Sequence, residues 1–251
     1  VVRLHEKNRS IIRRSRGYAP EPIHLKDSAH KCVLGVGAEE NVTSCVLLRD
    51  KAFISQFIGD VENVETLQFL KEATEHLLRL TNSKIDVIAC DLHPKFVTTK
   101  MANELGNELQ IPVIRVQHHY AHLTALMGEH NLTEMIAVVC DGFGYGLDGT
   151  AWGGEILYGN KEGFQRVGHL QEQPMVGGDL ATLYPLRMVA GILRDSPNIE
   201  KWLLANSHLF PHSKEEVEIL MKQLESGVVP KTTSCGRILD AVSAILGVCY
   251  E

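Results

Sequence analysis

The chain has 251 residues, 44% hydrophobic and 22% charged, with a formal net charge of −6. That is an ordinary globular composition, long enough for two domains or one large one. It offers no Lys/Arg tract to indicate a nucleic-acid partner, and no apolar run approaching the roughly 18 residues of a membrane helix.

Residues 1–31 contain "IIRRSRGYAPEPI", which is basic and then Pro-rich. This reads as an inter-domain linker or the tail of an upstream domain. There is no signal-peptide core. The six cysteines (Cys32, Cys45, Cys90, Cys140, Cys235 and Cys249) are scattered without a CxxC. They read as reduced thiols of a cytoplasmic protein.

From residue 32 to 132 the elements follow a regular order. "CVLGVGA", "TSCVLLR" and "KAFISQFIG" are three β-rich runs separated by turn signals. "VENVETLQFLKEATEHLLRL" places Val64, Leu67, Leu70, Ala73, Leu77 and Leu80 at helical spacing. "IDVIAC" is a buried strand, "HPKFVTTKMANELGNEL" a helix, "IPVIRVQ" a strand, and "HHYAHLTALM" a helix. The predicted order is β-β-β-α-β-α-β-α. Residues 133–251 open the same way, with strands "MIAVVC", "TAWGGEILYG" and "GFQRVGHLQ". Helices are then expected near 180–195, 198–206, 213–224 and 236–247. Two blocks that each open on a three-strand meander predict a duplicated α/β architecture, with ligands outside the carboxyl ends of strands.

Two segments carry candidate chemistry. His118 and His122 are four apart, so on a helix they share a face and can reach one divalent ion. His119 points about 100° away and is not expected to be a ligand. Spacing alone leaves a surface or structural role for the pair open. In "VVCDGFGYGLDG" a strand is expected to end at Asp141, followed by a glycine-rich turn with Gly142, Gly144, Gly146 and Gly149. Asp141 could bind a metal, while glycine backbone can approach phosphates closely; a plain hairpin is the alternative. Two imidazoles and a carboxylate suit Fe or Zn.

Taken together, "GVGAE", "FIGDVENVETLQFL", "DLHPKF", "VQHHYAH", "DGFGYGLDGTAWGGE", "GGDLATLYPLRM" and "GRILDAVSAILG" resemble, in that order, the C-terminal module of HypF-type carbamoyltransferases of [NiFe]-hydrogenase maturation. That module is similar to tRNA threonylcarbamoyltransferases and antibiotic O-carbamoyltransferases. The resemblance covers about residues 32–251 and implies the duplicated actin/sugar-kinase/Hsp70-like fold. "RRSRGYAPEP" resembles the end of the preceding YrdC-like domain.

The resemblance also implies a mechanism. Carbamoyl phosphate and ATP, handled by upstream domains, yield carbamoyl adenylate, and this module passes the carbamoyl group to the C-terminal cysteine of HypE. A divalent metal on His118, His122 and Asp141 would act as a Lewis acid. Gly142, Gly144 and Gly146 would face phosphate, and Asp179 and Arg187 would bind substrate; a loop turn and a helix salt bridge are the bland alternatives for the last two. Asp240 is expected to be structural or in the nucleotide-side wall.

The first turn departs from the family's GAE-x-K-N-T, with Asn41 and Val42 at the lysine and asparagine positions and only Thr43 kept. By the resemblance, the second half is expected to be incomplete, lacking a later Gly-Gly segment and a metal-binding aspartate, and the chain alone not to be a competent catalyst. Two other readings are a non-catalytic HypE-docking module and a tRNA threonylcarbamoyltransferase-like enzyme.

Overall fold

A computed structural model of the chain describes residues 1–6, 8–14 and 18–250. It divides into two compact units, Val1–Glu134 and Met135–Glu251. Among the described residues no helix is long and apolar enough to cross a membrane.

In the first unit, β1 (Val2–His5) and β2 (Asn8–Ile11) form a small antiparallel ladder. The segment expected to be a linker also holds β3 (Ile23–His24), which joins a sheet edge. Ser15, Arg16 and Gly17, within that same expected linker, lie outside the described residues. The main elements are β4 (Val33–Gly35), β5 (Cys45–Leu48), β6 (Lys51–Ile54), α1 (Val64–Leu80), β7 (Val87–Asp91), α2 (Val97–Leu109), β8 (Val113–Val116) and α3 (His118–Glu129). The predicted β-β-β-α-β-α-β-α order is therefore what forms. The sheet runs β3-β6-β5-β4-β7-β8. β4, β5 and β6 are an antiparallel meander, while β7 lies parallel to β4 and β8 parallel to β7.

The local reasons are plain. Asn63 caps α1 by accepting from Thr66 N, and Leu70 and Leu77 turn inward one face of the helix. β7 is buried along almost its whole length, which is why it reads as an unbroken apolar run between two parallel neighbours. In α2, a Cβ on Gly106 would lie 2.4 Å from Val113 Cγ2, so glycine is what lets this helix approach β8. Leu34, Val36, Val46, Leu70, Ile88 and Ala102 form the core.

In the second unit, β9 (Glu134–Tyr145), β10 (Ala151–Asn160) and β11 (Gly163–His169) form the second meander, joined by β12 (Gln173–Pro174) and β13 (Lys231–Thr232). The helices are α4 (Leu180–Leu183), α5 (Leu186–Ile192), α6 (Ile199–Ala205), α7 (Ser213–Ser226) and α8 (Cys235–Ile245). The helix expected over 180–195 is split. Pro185 has no N–H to continue α4 and excludes helical geometry at the residue before it, so Tyr184 turns to φ −121°, ψ 86°. Met188, Val189, Leu203, Val217 and Leu220 form this unit's core.

The strand expected to end at Asp141 runs on to Tyr145. The glycines at 142 and 144 are strand residues rather than turn residues. The close approach here is that of Gly236 in α8, whose added Cβ would lie 2.9 Å from Gly142 Cα. The turn itself is 146–150, where Gly146 N donates to Thr150 O and Gly149 has φ +78°.

Candidate functional site

The histidine segment starts on a firm cap. Gln117 Oε1 accepts from His119 N at 2.8 Å and Tyr120 N at 3.1 Å, which satisfies two orphan donors of α3. Helical spacing then puts His118 and His122 together. Their Nε2 atoms are 3.2 Å apart, with the rings 80° from coplanar. A tetrahedral ion bonded to two imidazole nitrogens at about 2.0–2.1 Å holds them roughly 3.3 Å apart. The separation matches that of two imidazoles on one divalent cation, and it is also that of a hydrogen bond between the two rings. His119, on the same helix, is completely buried.

Sequence reasoning missed a third group. Asp91, the last residue of β7, is buried, and its Oδ2 lies 2.8 Å from His118 Nδ1. Its Oδ1 accepts from His93 N at 2.7 Å. The parallel register sets Asp91 beside Val116, two residues before His118. The only sequence signal was a carboxylate at a strand's carboxyl end, in "DLHPKF".

The first turn of this unit is tied down by its own residues. Asn41 takes φ +51° and its N–H donates to Asp60 Oδ1 at 2.7 Å. Val42 is buried in the core and bridges Gly59. The Val42 side chain thus serves packing.

On the second unit, Asp141 sits in β9 with Oδ1 accepting from Gly142 N at 2.7 Å. Ser234 Oγ lies 2.9 Å from Asp141 O and 2.8 Å from Gly142 O, pinning this stretch to the start of α8. Gly144 and Gly146 are buried. Asp179 is exposed beside the short helix α4. Arg187 is buried, and its Nη2 reaches Glu216 Oε1 at 2.7 Å, so its bridge joins α5 to α7. Asp240 pairs with Arg237 Nε at 2.7 Å on its own helix.

A second carboxylate also escaped sequence reasoning. Glu155 is completely buried, 2.6 Å from Arg166 Nε. It also accepts from Gly153 N at 3.1 Å and from the Thr233 hydroxyl. Burial alone would raise its pKa, but the bonds from Arg166, Thr233 and Gly153, with the Arg166 charge, together hold it below the usual range. Asp148 behaves alike: burial is outweighed by bonds from Thr150 and Trp152 and by Arg166. Arg166 stacks 4.0 Å over the Trp152 ring.

Comparison with known proteins covers both units. The profile of the HypF Kae1-like domain matches residues 28–129. That described as "Carbamoyltransferase, Kae1-like Domain, second subdomain" matches 137–251. A probable carbamoyltransferase HypF of Methanocaldococcus jannaschii is 48% identical over 244 residues, covering 96% of this chain and 32% of that protein. A carbamoyltransferase HypF of Rhizobium leguminosarum bv. viciae is 36% identical, covering 99% and 32%. The chain thus spans about a third of the length of these curated relatives. The crystal structure of HypF from T. kodakarensis is 39% identical with TM-score 0.89, covering 100% of this chain and 34% of that one. A full-length HypF in a phosphate- and nucleotide-bound form is 35% identical with TM-score 0.86, covering 97% and 31%. The α/β fold of those structures is the fold seen here.

Proposed function

This chain belongs to the HypF carbamoyltransferase family, and from that premise we propose that it forms the module that passes a carbamoyl group from carbamoyl adenylate to the C-terminal cysteine thiolate of HypE. The thiolate attacks the carbonyl carbon, the bond from that carbon to the phosphate oxygen breaks, and AMP leaves with the electron pair. The nucleophile comes from the partner, so the chain need supply none of its own.

The observation that carries this reading is the 3.2 Å separation of the His118 and His122 Nε2 atoms. With Asp141 as the carboxylate of the donor set, they suit Fe or Zn. Such an ion, when bound, supplies a Lewis acid for the carbamoyl carbonyl and positive charge for the departing phosphate. The segment holding Gly142, Gly144 and Gly146, with the exposed Asp179, is assigned to the nucleotide side. Arg187 is engaged with Glu216 and holds α5 against α7, which favours the salt-bridge alternative to its substrate-binding role. In this reading residues 1–31 are the tail of an upstream YrdC-like domain, and 32–132 and 133–251 are the two halves.

The test uses the full-length protein and a HypE C-terminal peptide. His118→Ala and His122→Ala are each expected to abolish peptide carbamoylation while upstream carbamoyl-phosphate hydrolysis continues. His119→Ala is expected to lower stability through its lost buried ring, with transfer retained. Transfer surviving loss of His118 or His122 would refute the assignment.

A further inference from the structure

We propose that Asp91 is a positioning residue that locks His118 into the Nδ1–H tautomer and so makes Nε2 its ligand atom. The inference rests on the metal reading above, but its geometry lies wholly within the first unit. A carboxylate accepts hydrogen bonds and cannot donate them. With Asp91 Oδ2 2.8 Å away, His118 Nδ1 must carry the proton, which leaves Nε2 as the nitrogen with a lone pair. That is the nitrogen facing His122 Nε2 at 3.2 Å.

The carboxylate is itself held. Its other oxygen takes His93 N–H at 2.7 Å. Its own backbone oxygen accepts from Thr99 Oγ1 at 3.3 Å, from α2. Leu92 N donates to Val116 O at 2.8 Å, tying the ends of β7 and β8. Asp91 is thus fixed from the loop at 92–93, from α2 and from β8, and only 4% of its side chain is exposed. A carboxylate held this way orients the imidazole as well as setting its proton. Outer partners of this kind are worth about 10–100-fold in metal affinity.

Asp91→Asn separates these roles from simple packing. The amide oxygen can keep the His93 N–H, but its NH2 then faces His118 Nδ1 and requires an acceptor. The imidazole must move its proton to Nε2, the nitrogen needed for the ion. Ring 15N shifts of His118, read in the metal-free chain at a pH where the imidazoles are neutral, report the tautomer directly. A zinc titration against a chromophoric chelator reports affinity, and circular dichroism checks the fold.

The expected result is Nδ1–H in the wild type, Nε2–H in Asp91→Asn, and a 10–100-fold weaker zinc site at unchanged fold. Nε2–H in the wild type would overturn the inference, and this reading needs no variant to fold. An Asp91→Asn protein with unchanged tautomer and unchanged affinity would overturn it too. A tautomer switch with no zinc bound by either protein sustains Asp91 as the positioning group and removes the metal reading instead.

Discussion

Replacing Arg166 with Met should destabilise the second unit by about 3–5 kcal/mol at neutral pH, the usual cost of stranding one partner of a buried ion pair. Glu155 is fully buried, and Arg166 Nε at 2.6 Å is its cationic partner. Without Arg166 the carboxylate keeps only neutral donors, including Gly153 N and the Thr233 hydroxyl. The pH dependence should also change sign. In the wild type the Glu155 pKa is lowered. Its contribution is therefore complete above the ordinary value of about 4.3 and is lost as pH falls through the lower folded value. In the variant, burial dominates and raises the folded pKa. The folded state then binds a proton that the unfolded chain does not, so stability should rise as pH falls from 7 towards 5. Urea unfolding followed by tryptophan fluorescence reads this unit alone, because Trp152 and Trp202 both lie in it. Arg166→Met with Glu155→Leu should recover most of the loss. A cost below about 1 kcal/mol, or a variant that loses stability between pH 7 and 5, would refute the reasoning.

Gly106→Ala should lower the melting temperature of the first unit although alanine is the better helix former by about 1 kcal/mol. The new Cβ falls 2.4 Å from Val113 Cγ2 and 3.2 Å from Ile111 O, and overpacking of that kind costs about 1–3 kcal/mol; a raised melting temperature would contradict it. Burial pushes the Cys45 thiol up to about 11 against a weaker pull from Arg14. At pH 8 roughly one part in a thousand is thiolate, so iodoacetamide should modify exposed Cys140 well before Cys45, as mass spectrometry of time points would show.

The order of elements was legible because its signals are local. The 3.6-residue period of Val64–Leu80 and the apolar run through β7 state their own structures. Where local signals compete, the reading slipped. The glycines after Asp141 look like a turn, yet the backbone stays in β9 because α8 packs onto it, and Gly236 meets Gly142 at a distance no side chain allows. Proline at 185 is an equally local signal, and in the structure it prevails over the apolar pattern around it and separates α4 from α5.

The site divides along the same line. His118 and His122 were legible because four residues of helix bring them together. Asp91 is 27 positions before His118, and only the parallel register of β7 against β8, with Asp91 beside Val116, carries it to the imidazole. Glu155 and Arg166 meet across β10 and β11, where a shift between Ile156 and Leu157 resets the pairing. Arg187 was visible as a charge near a helix, but Glu216 reaches it from another helix, 29 positions on. Of the three candidate ligands, the two imidazoles are thus those a single helix juxtaposes, while Asp141 was read from its place in a strand-like run. Asp91 beside His118, Glu155 beside Arg166 and Glu216 beside Arg187 are instead products of strand register and helix packing. Those are fixed by burial over a whole sheet, so a one-residue slip would remove the partner while leaving every local signal intact.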